Sequence, residues 1–339
     1  MINKTSQDAI TPLLPKEFAH TIITWQHQHG RNTLPWQREA SPYHVLVSEL
    51  MLQQTQVSTV IPYFERWIKV FPDLATLAQA SEDQVLAQWQ GLGYYSRARN
   101  LHKAAGYVMT ELNGQLPATP ESLREVPGVG PYTAGAITAF AFDKPAAIVD
   151  GNVKRLFCRY FGINGDPNSS AINRQIWTKA EEYKPHSNSR QYAQALLDLG
   201  ATICTPRNPK CELCPLQQSC NALATDRVNL LPQKRAKRTL PTKDGYFALD
   251  VNANGVILVQ RSANGIWPRL WCLPELSELP PRAQVHGSFK HVFSHYRLNA
   301  TVINCTPSHA TTRIPLEALA QYGLPAPIRK YIHTHVLEN

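Results

Sequence analysis

No apolar run in this 339-residue chain approaches the roughly 20 residues that a membrane-spanning helix requires. The segment Met1 to Lys16 lacks a basic start, an apolar core and a small-residue cleavage site, so no secretory signal is expected. A cytoplasmic or nucleoid-associated protein, outside any membrane, is the expectation. No segment recurs at a fixed period. Cysteine is scarce, with seven residues in all. Cys158, Cys272 and Cys305 are scattered, while Cys204, Cys211, Cys214 and Cys220 fall within 17 positions. An odd count so arranged is not the framework of a secreted disulfide scaffold; it predicts one metal site plus buried thiols. Acidic residues are also short: 25 Asp and Glu face 34 Lys and Arg, a net charge of +9. That balance points to an anionic partner, nucleic acid first.

Two kinds of pattern divide the chain. From about Phe18 to Ala224 short helices follow one another without alternating strands, which predicts an all-α domain. Ser41-Pro42 reads as an N-cap and first-turn proline opening a helix through Gln54. Ser81 and Gln84 form a capping box for a helix that stops near Gly91. Thr119-Pro120 opens a short helix ending near Val126, and Pro131 opens the next. Residues 225–244, with Pro232, Pro241 and the basic cluster Lys234, Arg235, Lys237 and Arg238, predict an exposed linker. Beyond it the period becomes that of strands. Tyr246–Leu249 and Val256–Gln260 flank Asn254-Gly255, a hairpin signal. Further strand signals at Val292–Leu298 and Thr301–Asn304, with a final helix from Pro325, predict a small α+β domain over 245–339.

Four segments carry chemistry. In Glu125-Val-Pro-Gly-Val-Gly-Pro-Tyr-Thr-Ala134, Gly128, Val129 and Gly130 form a tight turn at a helix start. Free amides and a positive dipole end make that turn a phosphate site read by backbone. Asp150 follows the apolar run Ala147-Ile-Val and caps the next helix, so its carboxylate accepts from amides that favour the ionised form. An anion near a sugar can stabilise an oxocarbenium ion. Glu49 has Val45, Leu46, Leu52 and Gln53 as helical neighbours, so it interrupts a face that should be buried. Desolvation there raises its pKa and keeps it protonated near neutral pH. A neutral acid and an ionised carboxylate are the two roles that breaking an N-glycosidic bond requires. The spacing Cys204-x6-Cys211-x2-Cys214-x5-Cys220 lets four thiolates close around one soft centre, iron–sulfur or zinc.

On these residues the chain resembles the endonuclease III superfamily, in particular the MutY-type adenine DNA glycosylases. The likeness rests on Leu34-Pro-Trp36, Ser48-Glu-Leu-Met-Leu-Gln-Gln-Thr-Gln-Val57, Gly91-Leu-Gly-Tyr-Tyr95, Val126-Pro-Gly-Val-Gly130, Val149-Asp-Gly-Asn-Val-Lys-Arg155 and the cysteine loop. It spans about Phe18 to Tyr331. The resemblance implies a helix-hairpin-helix glycosylase domain over 18–224, after an N-terminal extension at 1–17. In it, 36–145 form a six-helix module, and the N-terminal helix with 146–224 forms an iron–sulfur lobe. Glu49 matches the acid that protonates adenine, and Asp150 the carboxylate that stabilises or traps the sugar cation. Tyr132 and Asn152 match supporting positions, and Trp36, Leu52 and Gln194 the adenine pocket. Gln54 and Tyr94 match residues that fill the gap left by the extruded base. The cysteines match the ligands of one [4Fe-4S] cluster, whose loop sets Arg207 and Lys210 against phosphates. Superfamily members that also cut the strand carry a lysine at position 132, which forms an imine; Tyr132 implies a monofunctional enzyme leaving an abasic site.

The C-terminal half resembles a Nudix-like domain that inspects the opposite base. Tyr246-Phe-Ala-Leu249, Gly265-Ile-Trp267, Leu270-Trp-Cys-Leu-Pro274 and His291-Val-Phe-Ser-His295 carry that likeness. Phe293, Ser294 and His295 match the loop that senses 8-oxoguanine. The glutamate-rich helix of metal-dependent Nudix hydrolases is missing, so hydrolysis of nucleoside triphosphates is not expected. The implied partner is double-stranded DNA with A:8-oxoguanine or A:G mispairs, bound by a monomer.

Overall fold

The computed structural model describes residues 10–233, 239–307 and 312–338. Residues 1–9 and the basic cluster Lys234, Arg235, Lys237 and Arg238 lie outside the described residues. Helices dominate the first two thirds of the chain. They are α1 (Pro15–His29), α2 (Pro35–Arg38), α3 (Pro42–Leu52), α4 (Val57–Val70), α5 (Leu74–Gln79), α6 (Glu82–Gln88), α7 (Ser96–Glu111) and α8 (Pro120–Leu123), then α9 (Pro131–Phe142), α10 (Gly151–Tyr160), α11 (Ser170–Tyr183), α12 (Ser189–Asp198) and α13 (Asn221–Ala224). Eight strands follow, β1 (Thr242–Leu249), β2 (Val251–Asn252), β3 (Gly255–Gln260), β4 (Trp271–Cys272), β5 (Glu275–Leu276), β6 (Val285–Val292), β7 (Arg297–Asn304) and β8 (Thr312–Ile314), before α14 (Ala326–Ile332).

The chain folds into two compact units. One comprises residues 1–54 and 107–236, the other 55–106 and 237–339. In the first, α1 presents Phe18, Ile22 and Trp25 at helical spacing to a core shared with Phe157 and Tyr160 of α10. Its α9 is buried on every side from Thr133 to Ala139 because those residues are mostly small. A Cβ on Gly135 would come within 2.1 Å of the Ala147 carbonyl oxygen. The bare glycine therefore lets the extended run Ala146–Val149 lie against α9 and deliver Asp150 to the start of α10.

The second unit joins α4–α6 and the start of α7 to the strand-bearing region. One sheet has the order β5-β1-β7-β6, with β1 and β7 parallel. The other runs β2-β3-β4, with β8 also on β3. Along β7 Leu298, Ala300 and Val302 alternate inward, and Ile328, Tyr331 and Ile332 of α14 close the same core.

Caps act as the sequence indicates, but some boundaries move. Ser41 accepts from the His44 amide at 3.2 Å, and Ser81 and Gln84 exchange reciprocal bonds of 3.2 and 2.8 Å. The helix expected to run through Gln54 ends at Leu52, since Gln54 takes the left-handed φ of 56°. The helix expected to end near Val126 ends at Leu123, in turns at Arg124–Val126. The expected hairpin of 246–249 with 256–260 does not form. Gly255 pairs with Asn252 of β2, whereas β1 pairs with β5 and β7 in the other sheet. The strand region expected at 292–298 and 301–304 holds the turn of a hairpin and its second strand. β6 and β7 pair antiparallel, and Phe293–Tyr296 form its tip. The linker expected to end at 244 stops sooner, because β1 begins at Thr242.

Gly135→Ala should destabilise the protein by about 1–3 kcal/mol, the usual penalty for overpacking a filled core. Chemical denaturation would show it, and unchanged stability would mean that α9 and the Ala146–Val149 run do not need that close approach.

Candidate active site and cysteine loop

Helices α3 and α9 pack together and bring Glu49 to Tyr132. Glu49 is 5% exposed. Burial pushes its carboxyl up from 4.5 to about 7. The hydroxyl of Tyr132 donates to it and offsets part of that rise, while the nearby Asp150 carboxylate adds to it. Tyr132 is half-buried, and burial beside two acids holds its hydroxyl well above the usual phenol range, so it remains a donor.

Asp150 caps α10, accepting from the Val153 amide at 2.7 Å and from Asn152 Nδ2 at 2.9 Å. The expectation that these amides set its charge state needs correction. Burial outweighs them, and the Asp150 pKa lies above its ordinary value. The two amides, the Asn152 side chain and Arg155 limit that rise. Both acids are thus raised, but only Asp150 has a helix N-terminus and a guanidinium to favour its anion.

Arg155 ties this site to the cysteine loop. Its Nη2 donates to Asn152 Oδ1 at 3.0 Å and to the Gly200 carbonyl at 2.6 Å, and its Nε donates to the Cys204 carbonyl at 2.6 Å. Gly200 belongs to a π-helical turn, Leu199–Ile203, that continues α12 and presents Cys204. A Cβ there would meet the Asn152 Cβ at 2.7 Å, so Gly200 allows the loop to press on the site. On the next turn of α10, Arg159 Nη1 donates to Cys204 Sγ at 3.4 Å and to the Thr205 carbonyl at 2.8 Å.

All four loop cysteines, with Leu156 and Tyr160, line one cavity. Among the described residues no three His, Cys, Asp or Glu side chains converge as a single-ion site. The thiols border one space, as ligands of a polynuclear cluster do. Amides of Leu216 and Leu223 aim at Cys214 and Cys220, the donors that stabilise cluster thiolates. The donor set fits an iron–sulfur cluster.

The other sequence-assigned residues fall into three places. Trp36 and Gln194 are buried and Leu52 is half-buried, all in the first unit. Gln194 Nε2 donates to Asp198 Oδ1 at 2.9 Å, and the fully buried Asp198 also pairs with Arg31 at 2.7 Å. Gly128 (φ 79°) and Gly130 are exposed in the turn before α9, while Val129 is buried. Arg207 and Lys210 are exposed on the cysteine loop, and Gln54 is exposed after α3. In the second unit, Tyr94 is 55% exposed. It lines a cleft of about 380 Å³ with Arg99, Trp267, Phe293, Ser294 and His295. Phe293 stacks near Trp267 (5.2 Å) and Tyr296 (4.8 Å), while Ser294 and His295 are exposed at the hairpin tip. Sequence reasoning missed Asp198, Arg31, Arg155 and Arg97. Helical spacing was the available signal for two of them: Asp198 lies four residues after Gln194, and Arg155 three after Asn152.

Three sequence families match the chain. The HhH-GPD superfamily of base excision DNA repair proteins covers residues 47–182, the iron-sulfur binding domain of endonuclease III covers 204–220, and the NUDIX domain covers 245–334. The loop is thus the ligand set of a [4Fe-4S] cluster. The chain is 36% identical to an adenine DNA glycosylase of Buchnera aphidicola subsp. Baizongia pistaciae, over 93% of this chain and 95% of that protein. It is 34% identical to the adenine DNA glycosylase of Rattus norvegicus, over 88% of this chain and 72% of that protein. Among solved structures, a thermostable thymine-DNA glycosylase aligns with TM-score 0.57 and 30% identity, over 62% of this chain and 97% of that one. A trapped endonuclease III–DNA covalent intermediate shares the fold at TM-score 0.53 and 20% identity, over 63% of this chain and 99% of that one.

Glu49 makes stability depend on pH. Its folded pKa lies above the unfolded one, so the burden is absent below about 4.5, grows as pH rises through the interval, and is complete above about 7. The difference amounts to about 3 kcal/mol. Glu49→Gln should therefore melt higher than the parent at pH 8, with the gap closing towards pH 5. An equal gap at both pH values would show that Glu49 carries no raised pKa.

Proposed function

The chain belongs to the adenine DNA glycosylases, and from that premise we propose that it hydrolyses the N-glycosidic bond of adenine mispaired with 8-oxoguanine or guanine in double-stranded DNA. The observation that carries this reading is the buried Glu49, at about 7, beside Tyr132 and Asp150. Near neutral pH Glu49 holds a proton to give, and adenine is a poor leaving group until its ring is protonated. As the C1′–N9 bond breaks, the electron pair leaves with the base and positive charge develops on the sugar. Asp150, fixed by Asn152 and the Val153 amide, stabilises or traps that cation until water adds at C1′. Tyr132 positions Glu49 and, lacking an amine, forms no imine with the sugar. The product is an abasic site and the strand stays intact.

The remaining residues hold the substrate. Trp36, Leu52 and Gln194 form the adenine pocket, and Asp198 orients the Gln194 amide. Gly128, Val129 and Gly130 present backbone to phosphate. Cys204, Cys211, Cys214 and Cys220 would hold the cluster, whose bonds to them would tie the loop together, and that loop carries Arg207 and Lys210 towards the DNA backbone. Gln54 and Tyr94 fill the gap left by the extruded base. Phe293, Ser294 and His295 read 8-oxoguanine, which is supported by the cleft that they share with Tyr94. Among the described residues no helix is long and apolar enough to cross a membrane. The protein works as a monomer in the cytoplasm, on the nucleoid.

Single-turnover excision from duplexes with adenine opposite 8-oxoguanine or guanine tests the reading. Strand breaks should appear only after alkali, and a covalent complex trapped by borohydride would instead indicate imine chemistry. Glu49→Gln should slow excision at least about a hundredfold while sparing duplex binding. In the parent, kcat/KM should fall as pH rises through about 7, where Glu49 loses its proton in the free enzyme. Full activity of the variant, or a rate that climbs with pH there, would remove Glu49 from the acid role.

Ser294→Ala should reduce the rate or affinity for A:8-oxoguanine about tenfold, the worth of one buried hydrogen bond, and leave A:G nearly unchanged. Equal loss on both duplexes would dismiss the hairpin tip as the 8-oxoguanine reader.

A further inference from the structure

Tyr94 occupies a position that costs free energy twice. Its φ of 46° is left-handed, a region unfavourable for a residue with a Cβ, and its ring is 55% exposed. Gly91 (φ 103°) and Gly93 (φ 71°) in the same loop are also left-handed. Such a loop keeps one shape only if its surroundings over-determine it.

The surroundings converge on one side chain. Arg97, three residues on in the first turn of α7, is 5% exposed. Its Nη2 donates to the carbonyls of Leu92 and Gly93, both at 3.0 Å, and its Nε to that of Tyr94 at 3.4 Å. Its Nη1 donates to Thr55 Oγ1 at 3.1 Å, and Thr55 directly follows Gln54. The guanidinium lies 5.6 Å from the Tyr94 ring and 5.3 Å from that of Trp89, whose Nε1 also donates to the Gly93 carbonyl at 3.1 Å. Burial pulls the guanidinium down to about 10, so it stays charged at neutral pH and its hydrogen bonds are charge-assisted. At this burial Arg97 is not a phosphate contact, although the chain is basic.

We infer that Arg97 is the positioning residue for base extrusion: its planar fork holds the Gly91–Tyr95 loop so that Tyr94 stands ready to enter the duplex. The inference rests on the reading of Tyr94 as the residue that fills the gap. Lysine would preserve the charge but not the fork, and could serve only part of the acceptor set. The expected defect therefore lies in extrusion and not in proton transfer, and it is invisible once Tyr94 is gone.

A double-mutant cycle tests this on the full chain with its cluster. Arg97→Lys, Tyr94→Ala and the double variant would be compared by stopped-flow fluorescence of 2-aminopurine placed beside the target adenine, and by the pH profile of single-turnover excision. Arg97→Lys should slow the fluorescence change about tenfold, as expected for lost charge-assisted bonds. The pH profile should keep its shape, and the double variant should be no slower than Tyr94→Ala. If Arg97→Lys multiplies its full factor onto Tyr94→Ala, Arg97 does not act through Tyr94 and the inference is overturned. If Tyr94→Ala alone leaves the fluorescence change at the parent rate, the gap-filling reading fails first, and that result is separate from any result at Arg97. Should Arg97→Lys not fold, Thr55→Val removes one acceptor without touching charge. Its smaller slowing should likewise vanish in the Tyr94→Ala background, and additivity there would overturn the inference equally.

Discussion

Two carboxyl groups cannot both be ionised at little cost when they are buried side by side, and the catalytic half of this protein is arranged around that constraint. Glu49 sits inside α3 with no helix end to favour its anion, and its hydrogen bond from Tyr132 offsets only part of the desolvation. Asp150 stands at the start of α10, where amides and Arg155 oppose its burial. The same burial therefore acts on two acids whose means of holding charge differ. The groups that oppose the rise are gathered on Asp150, and Glu49 is left raised to about 7. Environments that push neighbouring pKa values apart are how one site presents an acid and an anion together.

Holding that arrangement falls to parts that do no chemistry. Gly135 lets the run before Asp150 approach α9, and Gly200 lets the π-helical turn press against Asn152. Arg155 then spans Asn152, Gly200 and Cys204, while Arg159 spans Cys204 and Thr205. Two cations on successive turns of α10 thus face a loop whose cysteines become thiolates when they ligate iron. Their charge offsets the cost of burying those thiolates, and the same contacts fix the helix that Asp150 caps. This connectivity ties the position of the cysteine loop to that of the site.

Much of the site was legible in the sequence because its signals are local. A cap, a glycine turn, an acid interrupting an apolar face and a cysteine spacing each obey rules that span only a few residues. Glu49 and Asp150 could be named for that reason, Tyr132 only through the family resemblance, and the structure brings the three together. The charge state of Asp150 was not legible, because burial by distant segments outweighs the amides that the sequence reveals. The hairpin signal at Asn254-Gly255 held, but the strand it joins to β3 is the short β2 and not 246–249, for a related reason. Local turn chemistry specifies a reversal, but the choice of partner belonged to β7, some 50 residues away, which claimed β1 along its whole length. Arg97 carries no local signal in the sequence, and only the folded loop shows carbonyls turned towards it.

On the proposed reading, the division into two compact units also separates two physical tasks. Proton transfer demands exclusion of water and fixed pKa values, so Glu49, Tyr132 and Asp150 are packed among helices of the first unit. Reading a base pair demands exposed groups that are nevertheless rigid. The second unit meets that demand by bracing Tyr94 from beneath and setting the β6–β7 tip across the same cleft. Tyr95 strengthens that union, since its hydroxyl donates to the Leu324 carbonyl at 2.8 Å, and Arg99 reaches the Pro268 carbonyl at 2.9 Å. A helical segment and a strand-bearing domain far apart in sequence are thereby locked into one body. If Tyr94 enters the duplex and the hairpin tip reads the opposite base, as proposed, the two then act in register, because both belong to one compact unit.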